Sequence, residues 1–301
     1  MKKSAYVGID LGGTSIKYAV VEDKNILWSD TKPTNASYSR DELIDNIHSC
    51  VTKIQSLDYA VKAVGIGTPG LVDVDSGFVK GGAYNLPDWE DLPLGDIMKK
   101  KTGLPVFVDN DANLMGLGEY SQRSELGKNV IFITIGTGIG GAIIINGELF
   151  RGSKFAGSEL GCIPMEVNGV EGFWEDFAST SAMVKNYQKL IDNSSNEING
   201  KYLMEKFEQG DADAMEIVEN NTRLLGQGIG AYINIFNPDY IIIGGGISEA
   251  GGMYIDKIKS YAFNYAMDDC KEGVQISAAK LGNKAGFLGA VELAKLELEK
   301  L

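Results

Sequence analysis

The fold predicted for this 301-residue chain is α/β, with one plan built twice. Three observations predict it. The chain is longer than one ordinary hydrophobic core, so two domains are the default. Residues 6–21 and 130–145 repeat one pattern of apolar strand, glycine-rich turn and apolar strand. Between them, the apolar run 104–107 leads into a cluster of carboxylates and amides, Asp109, Asn110, Asp111 and Asn113. That cluster falls where open α/β sheets bind ligands, at the carboxyl end of a strand. A duplicated fold with two phosphate-facing hairpins across a cleft accounts for all three.

The first hairpin pairs strands at 6–10 and 16–21 around Leu11-Gly12-Gly13-Thr14-Ser15. Its glycines let backbone N–H groups approach an anion, although as a turn alone the motif is ordinary. Asp10 adds a carboxylate where a Mg²⁺-phosphate would sit. A third strand is predicted over 25–29. Leu43, Ile47, Cys50, Val51 and Ile54 at helical spacing predict an amphipathic helix over 40–54. His48, the only histidine, falls on that helix and reads as structural or solvated, which excludes a multi-His metal site.

Residues 63–67 form a buried strand ending in the rigid turn Thr68-Pro69-Gly70. Asp73 to Gly77 imitates the start of a calcium loop, but Tyr84 stands where the twelfth-position Glu is required, so a β-turn is expected. A polar-aromatic loop over 81–89, of the kind that carries binding residues, precedes a helix over 94–101. Asn110 and Asp111 could simply cap the next helix. The glycine turns on either side favour a carboxylate facing a phosphate donor.

Gly136, Gly138 and Gly141 match G-x-G-x-x-G, with Glu159 18 residues beyond Gly141. The dinucleotide fingerprint needs a helix after the glycines; a β-branched run with an Asn146-Gly147 turn follows instead, so a Rossmann site is rejected. There is no Walker A lysine motif. Helices are expected over 179–191, 201–208 and 213–236. A strand over 240–243 ends in Gly244-Gly245-Gly246, which let a flat ring or a helix N-terminus come close. A last strand (274–278) and a closing helix (284–298) complete the chain. The expected domains are 1–117, with the terminal helix 284–301 packing back on it, and 118–283.

Composition narrows the function classes. A hydrophobic fraction of 44% and a charged fraction of 23% are those of a globular protein. The net charge of −13 argues against a nucleic-acid partner, which selects a basic face. No run of 18 apolar residues occurs, so no membrane span is predicted. The apolar stretch after Ala5 breaks at Asp10, too soon for a signal peptide. Cys50, Cys162 and Cys270 fit reduced thiols in a cytoplasmic protein rather than a disulfide frame or a zinc knuckle.

Taken in order, Asp10-Leu11-Gly12-Gly13-Thr14, Asn110-Asp111-Ala112-Asn113, Gly136-Thr137-Gly138-Ile139-Gly140-Gly141, Glu159-Leu160-Gly161 and Gly244-Gly245-Gly246 resemble the ROK family (repressors, open reading frames and kinases) along nearly the whole chain. The resemblance implies an actin-like ATPase (ribonuclease H-like) fold, two α/β domains around a central cleft, and homodimers. It implies ATP with Mg²⁺ as cofactors and transfer of the γ-phosphate to a sugar hydroxyl, usually on C6. By position, Asp111 is the catalytic base. Gly70, Asn85, Asn110, Glu159 and Glu175 are sugar contacts. Gly12, Gly13, Thr14 and Lys17, with Gly136, Thr137 and Gly138, hold the phosphates. Gly244, Gly245 and Gly246 hold the adenosine, and Asp10 faces Mg²⁺.

One departure is informative. Many relatives continue Glu-x-Gly-His into a three-cysteine zinc motif, whereas here the histidine position is Cys162 and Phe173-Trp174-Glu175 stands for the last Cys-x-Glu. No zinc is therefore expected, as in some N-acetylmannosamine and β-glucoside kinases that look similar. The smaller side chain at 162 also leaves a β-glucoside substrate open. Two other readings are a non-catalytic sugar-sensing relative and a repressor. The family's repressors carry a DNA-binding domain ahead of the first phosphate turn, and only nine residues precede Asp10 here.

Overall fold

The computed structural model describes residues 4–34, 38–83, 86–246 and 252–301. The chain divides into two compact units: residues 1–124 with 149–157 and 283–301, and residues 125–148 with 158–282.

In the first unit, β1 (Ser4–Leu11), β2 (Ser15–Glu22) and β3 (Asn25–Pro33) form an antiparallel meander. The third strand runs four residues past the expected end, because its pairing with β2 continues to Pro33. Helix α1 (Arg40–Gln55) begins in a Ser39–Glu42 capping box and buries the expected Leu43, Ile47, Cys50, Val51 and Ile54. β4 (Ala60–Thr68) adds parallel to β1. A small hairpin, β5 (Leu71–Asp73) with β6 (Phe78–Gly81), stands at the calcium-like sequence. Then follow α2 (Leu94–Thr102), β7 (Val106–Asn110) parallel to β4, and α3 (Asp111–Gln122). The sheet order is β3-β2-β1-β4-β7.

The second unit repeats that plan. β8 (Val130–Ile135) and β9 (Ile139–Ile145) form an antiparallel hairpin, and β10 (Glu148–Phe150) pairs with β9. After β11 (Pro164–Val167) and β12 (Val170–Phe173) come α4 (Trp174–Ala178), α5 (Thr180–Leu190), α6 (Gly200–Glu208) and α7 (Ala212–Phe236). β13 (Tyr240–Gly244), α8 (Gly252–Tyr265), α9 (Asp268–Lys271) and β14 (Gln275–Ala278) complete it, in the order β10-β9-β8-β13-β14. Each sheet is thus three meandering strands extended by two parallel ones. A strand, not a helix, begins at Ile139 inside the glycine run and continues to Ile145, which removes the dinucleotide reading.

The last helix, α10 (Ala285–Leu298), belongs to the first unit and packs on β1, β4 and α3. Four glycines permit this approach. A Cβ on Gly8 or Gly65 would lie on the backbone of Phe287 or Ala290, and one on Gly118 or Gly289 on that of Ala285 or Leu114. Backbone cannot yield as a side chain does, so these positions admit nothing larger than hydrogen. Gly289→Ala is expected to lower stability by about 3 kcal/mol, the upper range for overpacking. Chemical denaturation with an unchanged midpoint would refute this account of the packing.

Candidate active site

Register sets the first half of the site. Asp10 of β1 lies beside Gly67 of β4, Gly67 beside Asp109 of β7, and Thr68 beside Asn110. The carboxyl ends of three parallel strands therefore present Asp10, Asp109 and Asn110 at one sheet edge. Asn110 is the N-cap of α3: its side-chain oxygen accepts from the N–H groups of Ala112 (2.9 Å) and Asn113 (3.1 Å). Its amide nitrogen donates to the Gly70 carbonyl at 3.0 Å, so one side chain ties the turn after β4 to the start of α3. Asp111 is the first residue of that helix, three positions before the apolar run that predicted it.

Asp10 is 4% exposed. Burial pushes its carboxyl up to about 6 against the opposing pull of Lys17, and the charge of Asp111 adds to the rise. The Lys17 ammonium stands 3.9 Å from the Asp10 carboxylate and donates to Asn283 at 2.9 Å. In the turn before it, Gly12 N–H bonds Ser15 O at 3.0 Å, leaving Gly13 and Thr14 exposed at the tip. Two carboxylates, one of them buried, suit Mg²⁺, which keeps several waters and takes further oxygens from phosphates.

Two residues without an assigned role hold this edge. Asp109 is buried; one of its oxygens accepts Asn110 N–H (2.7 Å) and Asn113 Nδ2 (3.2 Å). The other takes both Nε (2.8 Å) and a terminal nitrogen (2.7 Å) of Arg151. This bidentate pair anchors segment 149–157 to the first unit. Arg151 lies 42 residues from Asp109, so no local pattern could have linked them.

In the second unit the turn between β8 and β9 closes with Gly136 N–H on Gly138 O at 2.9 Å. Its glycines do not share one purpose. A Cβ on Gly136 would meet nothing within 4 Å, as expected where a ligand approaches. At Gly138 a Cβ would stand 2.5 Å from Glu175 Oε2, so a carboxylate of the protein itself already claims that space. The strand-end glycines divide likewise. Gly244 faces the Phe132 ring, and Gly245, at φ +84°, abuts Ile135 backbone, whereas a Cβ on Gly246 would meet nothing within 4 Å among the described residues. Thr137 is exposed at its turn.

Glu159 precedes the short 3-10 turn Leu160–Cys162. Surrounding protein, and then the charge of Glu175, hold its carboxyl above the usual range although it reaches solvent. Burial, Glu175, Glu159 and Asp176 all raise the Cys162 thiol, which keeps it protonated. Asn85 lies outside the described residues.

Where the zinc motif was expected to be lost, β11 and β12 form a hairpin closed by Asn168 and Gly169. Trp174 follows it, fully buried, with its N–H on Ile163 O (2.8 Å) and its indole N–H on Leu224 O (2.9 Å). Among the described residues no cluster of three or more His, Cys, Asp or Glu could hold a metal. The donor set around Cys162, one thiol among carboxylates, does not suit zinc.

Two sheets of one strand order, each with a glycine-turned hairpin, define an actin-like ATPase fold, the fold of the solved structures to which the chain is similar. The chain belongs to the ROK family, which residues 6–297 match. It is 33% identical to a glucokinase of Thermotoga maritima over 98% of both chains. A ROK family glucokinase from Streptomyces griseus, solved with glucose and AMPPNP, is 33% identical, with a TM-score of 0.82 over 97% of this chain and 99% of that one. The xylose repressor of Bacillus subtilis is 28% identical over 96% of this chain and 76% of its own length.

The purified protein is expected to carry no stoichiometric zinc, with Trp174 packing in the metal's place. Elemental analysis finding one zinc per chain would overturn this. Trp174→Ala should cost about 3–5 kcal/mol in a denaturant titration, as large-to-small core changes do.

Proposed function

We infer that the chain is an ATP-dependent sugar kinase of the hexokinase type, moving the γ-phosphate of ATP to a sugar hydroxyl. The acceptor we propose is the 6-hydroxyl of a hexose or N-acylhexosamine, such as glucose or N-acetylmannosamine. The family and the full-length likeness to a glucokinase support the class. The observation that carries the residue-level reading is Asp111: a carboxylate on the first turn of α3, close enough to buried Asp10 to raise its pKa.

In this reading Asp111 takes the proton of the attacking hydroxyl, since a neutral hydroxyl is a poor nucleophile. Asn110 and Gly70, already joined by a hydrogen bond, orient the sugar together with Asn85, Glu159 and Glu175. Gly12, Gly13, Thr14 and Lys17 hold phosphate oxygens, as do Gly136, Thr137 and Gly138. The space at Gly246, beside Gly244 and Gly245, is assigned to the adenosine. Mg²⁺ held at Asp10 would neutralise charge on the phosphates during transfer. A homodimer in the cytoplasm completes the proposal, on the strength of the family resemblance. A DNA-binding sensor is less well supported, because a net charge of −13 repels a phosphate backbone.

A coupled ADP-release screen over glucose, mannose, N-acetylmannosamine, N-acetylglucosamine, allose, fructose and cellobiose tests this reading. Sugar-dependent ADP release from one of the monosaccharides supports it, and cellobiose alone would favour a β-glucoside kinase. Silence with every sugar would leave a non-catalytic relative. Asp111→Asn should lower kcat by roughly 10²–10⁴, the range for general-base catalysis, while sugar affinity changes far less. Near-native turnover in that variant would remove Asp111 from the mechanism.

A further inference from the structure

We propose that Glu175 is a positioning residue that locks the Gly136–Gly138 phosphate turn to the sugar segment at Glu159, so that nucleotide and sugar strengthen each other's binding. The proposal rests on the kinase reading above and goes beyond a sugar contact at Glu175. Its basis lies within the second unit.

One carboxylate oxygen of Glu175 is committed to backbone. Oε2 accepts the N–H of Ile139, the residue after the turn, at 2.9 Å. Two glycines make the slot it occupies: a Cβ on Gly138 would stand 2.5 Å from Oε2, and one on Gly161 2.9 Å from it. Gly138 belongs to the phosphate turn, and Gly161 to the 3-10 turn that follows Glu159. The same carboxylate thus lies against both segments; a side chain at Gly138 would displace it, and one at Gly161 would meet Ile139 O as well as Oε2.

The other end of the turn is held from the start of the next helix. Gly136 O accepts the N–H of Thr180, the first residue of α5, at 3.0 Å. Glu175 and Thr180 flank Ala178 and Ser179, and Ser179 N–H bonds Glu175 O at 3.1 Å. The turn is therefore gripped before and after its tip by one short stretch of chain. That stretch cannot drift, because Trp174 is buried against α7, where a Cβ on Gly228 would collide with its indole.

A grip of this kind narrows the turn's motion without abolishing it, so a phosphate on its N–H groups still has some freedom to remove. A phosphate that orders the turn fixes Ile139 N–H, hence Glu175, hence the segment beside Glu159 and the remaining oxygen, Oε1. A sugar bound at Glu159 and Oε1 acts through the same contacts in reverse, as reciprocity of linked sites requires. A simple ligand role for Glu175 would give sugar affinity without that coupling.

The test measures two quantities on the full chain: the exchange rate of the Ile139 amide without ligands, and the Kd for glucose and N-acetylmannosamine with and without AMPPNP. In the native protein AMPPNP should tighten the sugar several-fold, toward the roughly 5- to 150-fold usual for coupled sites. Glu175→Ala should bring that ratio close to one and speed Ile139 exchange about tenfold or more, the worth of a charge-assisted hydrogen bond. Glu175→Gln, whose amide oxygen still accepts from Ile139, should keep most of the coupling. Gly138→Ala should reproduce the loss by displacing Oε2, and the double variant should be no worse than either single one. Should Glu175→Ala fail to fold, Glu175→Asp, which keeps the charge but withdraws it from Ile139 N–H, carries the same test.

Equal loss of sugar affinity with and without AMPPNP, at unchanged Ile139 exchange, would reduce Glu175 to a sugar contact and overturn the proposal. Absence of coupling in the native protein would also overturn it. Failure of the native protein to bind any sugar would instead refute the kinase reading, while Ile139 exchange would still decide whether the brace exists.

Discussion

The close approach of α10 to β1, β4 and α3 is the constraint on which the carboxylate edge of the first unit depends. Helix and sheet ordinarily keep side chains between them; here Gly8, Gly65, Gly118 and Gly289 let backbone meet backbone. The consequence reaches the chemistry. With α10 pressed against β1, Gly286 in its first turn lies under the Asp10 carboxylate, where a Cβ would stand 2.5 Å from Cγ. With α10 pressed against α3, the first turn of α3 and its Asp111 are fixed relative to the end of β1. A buried carboxyl near a helix N-terminus keeps some of the stabilisation that water would have given it. That environment still leaves Asp10 raised, because burial is the largest influence on it.

The Asp109–Arg151 pair acts on the same edge from the other side. Asp109 is almost wholly buried and Arg151 partly so, 2% and 19% exposed at their side chains, so removing Arg151 would strand the Asp109 charge. The pair also explains why segment 149–157 belongs to the first unit although it begins within β10. Asn110 shows how little a motif's polar groups are free to do one thing. The same amide caps α3 and holds Gly70, so a ligand bound there meets a group already oriented by the protein. The capping reading of Asn110 holds at its side-chain oxygen, while its amide nitrogen is the atom that ties in Gly70.

Much of the fold was legible because local physics and tertiary context agree. The apolar runs at 6–10, 16–21 and 130–135 and the helical spacing of Leu43 to Ile54 stand as expected, and the strand expected after Gly141 is there but starts at Ile139. Two misses had usable signals. Val167-Asn168-Gly169-Val170 carries the Asn-Gly of a two-residue hairpin, and both residues take positive φ, 52° and 77°. Tyr254, Ile255, Ile258 and Ala262 have the helical spacing that α8 buries. Other features had no local signal. The Arg151–Asp109 pair and the collision between Gly138 and Glu175 join residues 42 and 37 positions apart, as only the folded chain can. The space a Cβ on Gly138 would take belongs to Glu175, which the sequence around the turn does not reveal.

The loss of the family's cysteines tests what such a loop needs. Zinc fixes a loop by converging ligands from one short stretch and drawing its folding energy from metal bonds. This chain reaches a fixed position for Glu175 by another route. A hairpin with a tight turn limits the chain's freedom, Trp174 N–H ties its end to Ile163, and the buried indole sets the direction in which α4 leaves. Apolar burial is less directional than a tetrahedral metal, so the final placement of the carboxylate falls to hydrogen bonding and close contact. Ile139 N–H and the bare faces of Gly138 and Gly161 supply both. Packing orients the helix, and the glycine slot orients the side chain. The metal's single task is thereby divided between two sets of residues, each open to separate mutation.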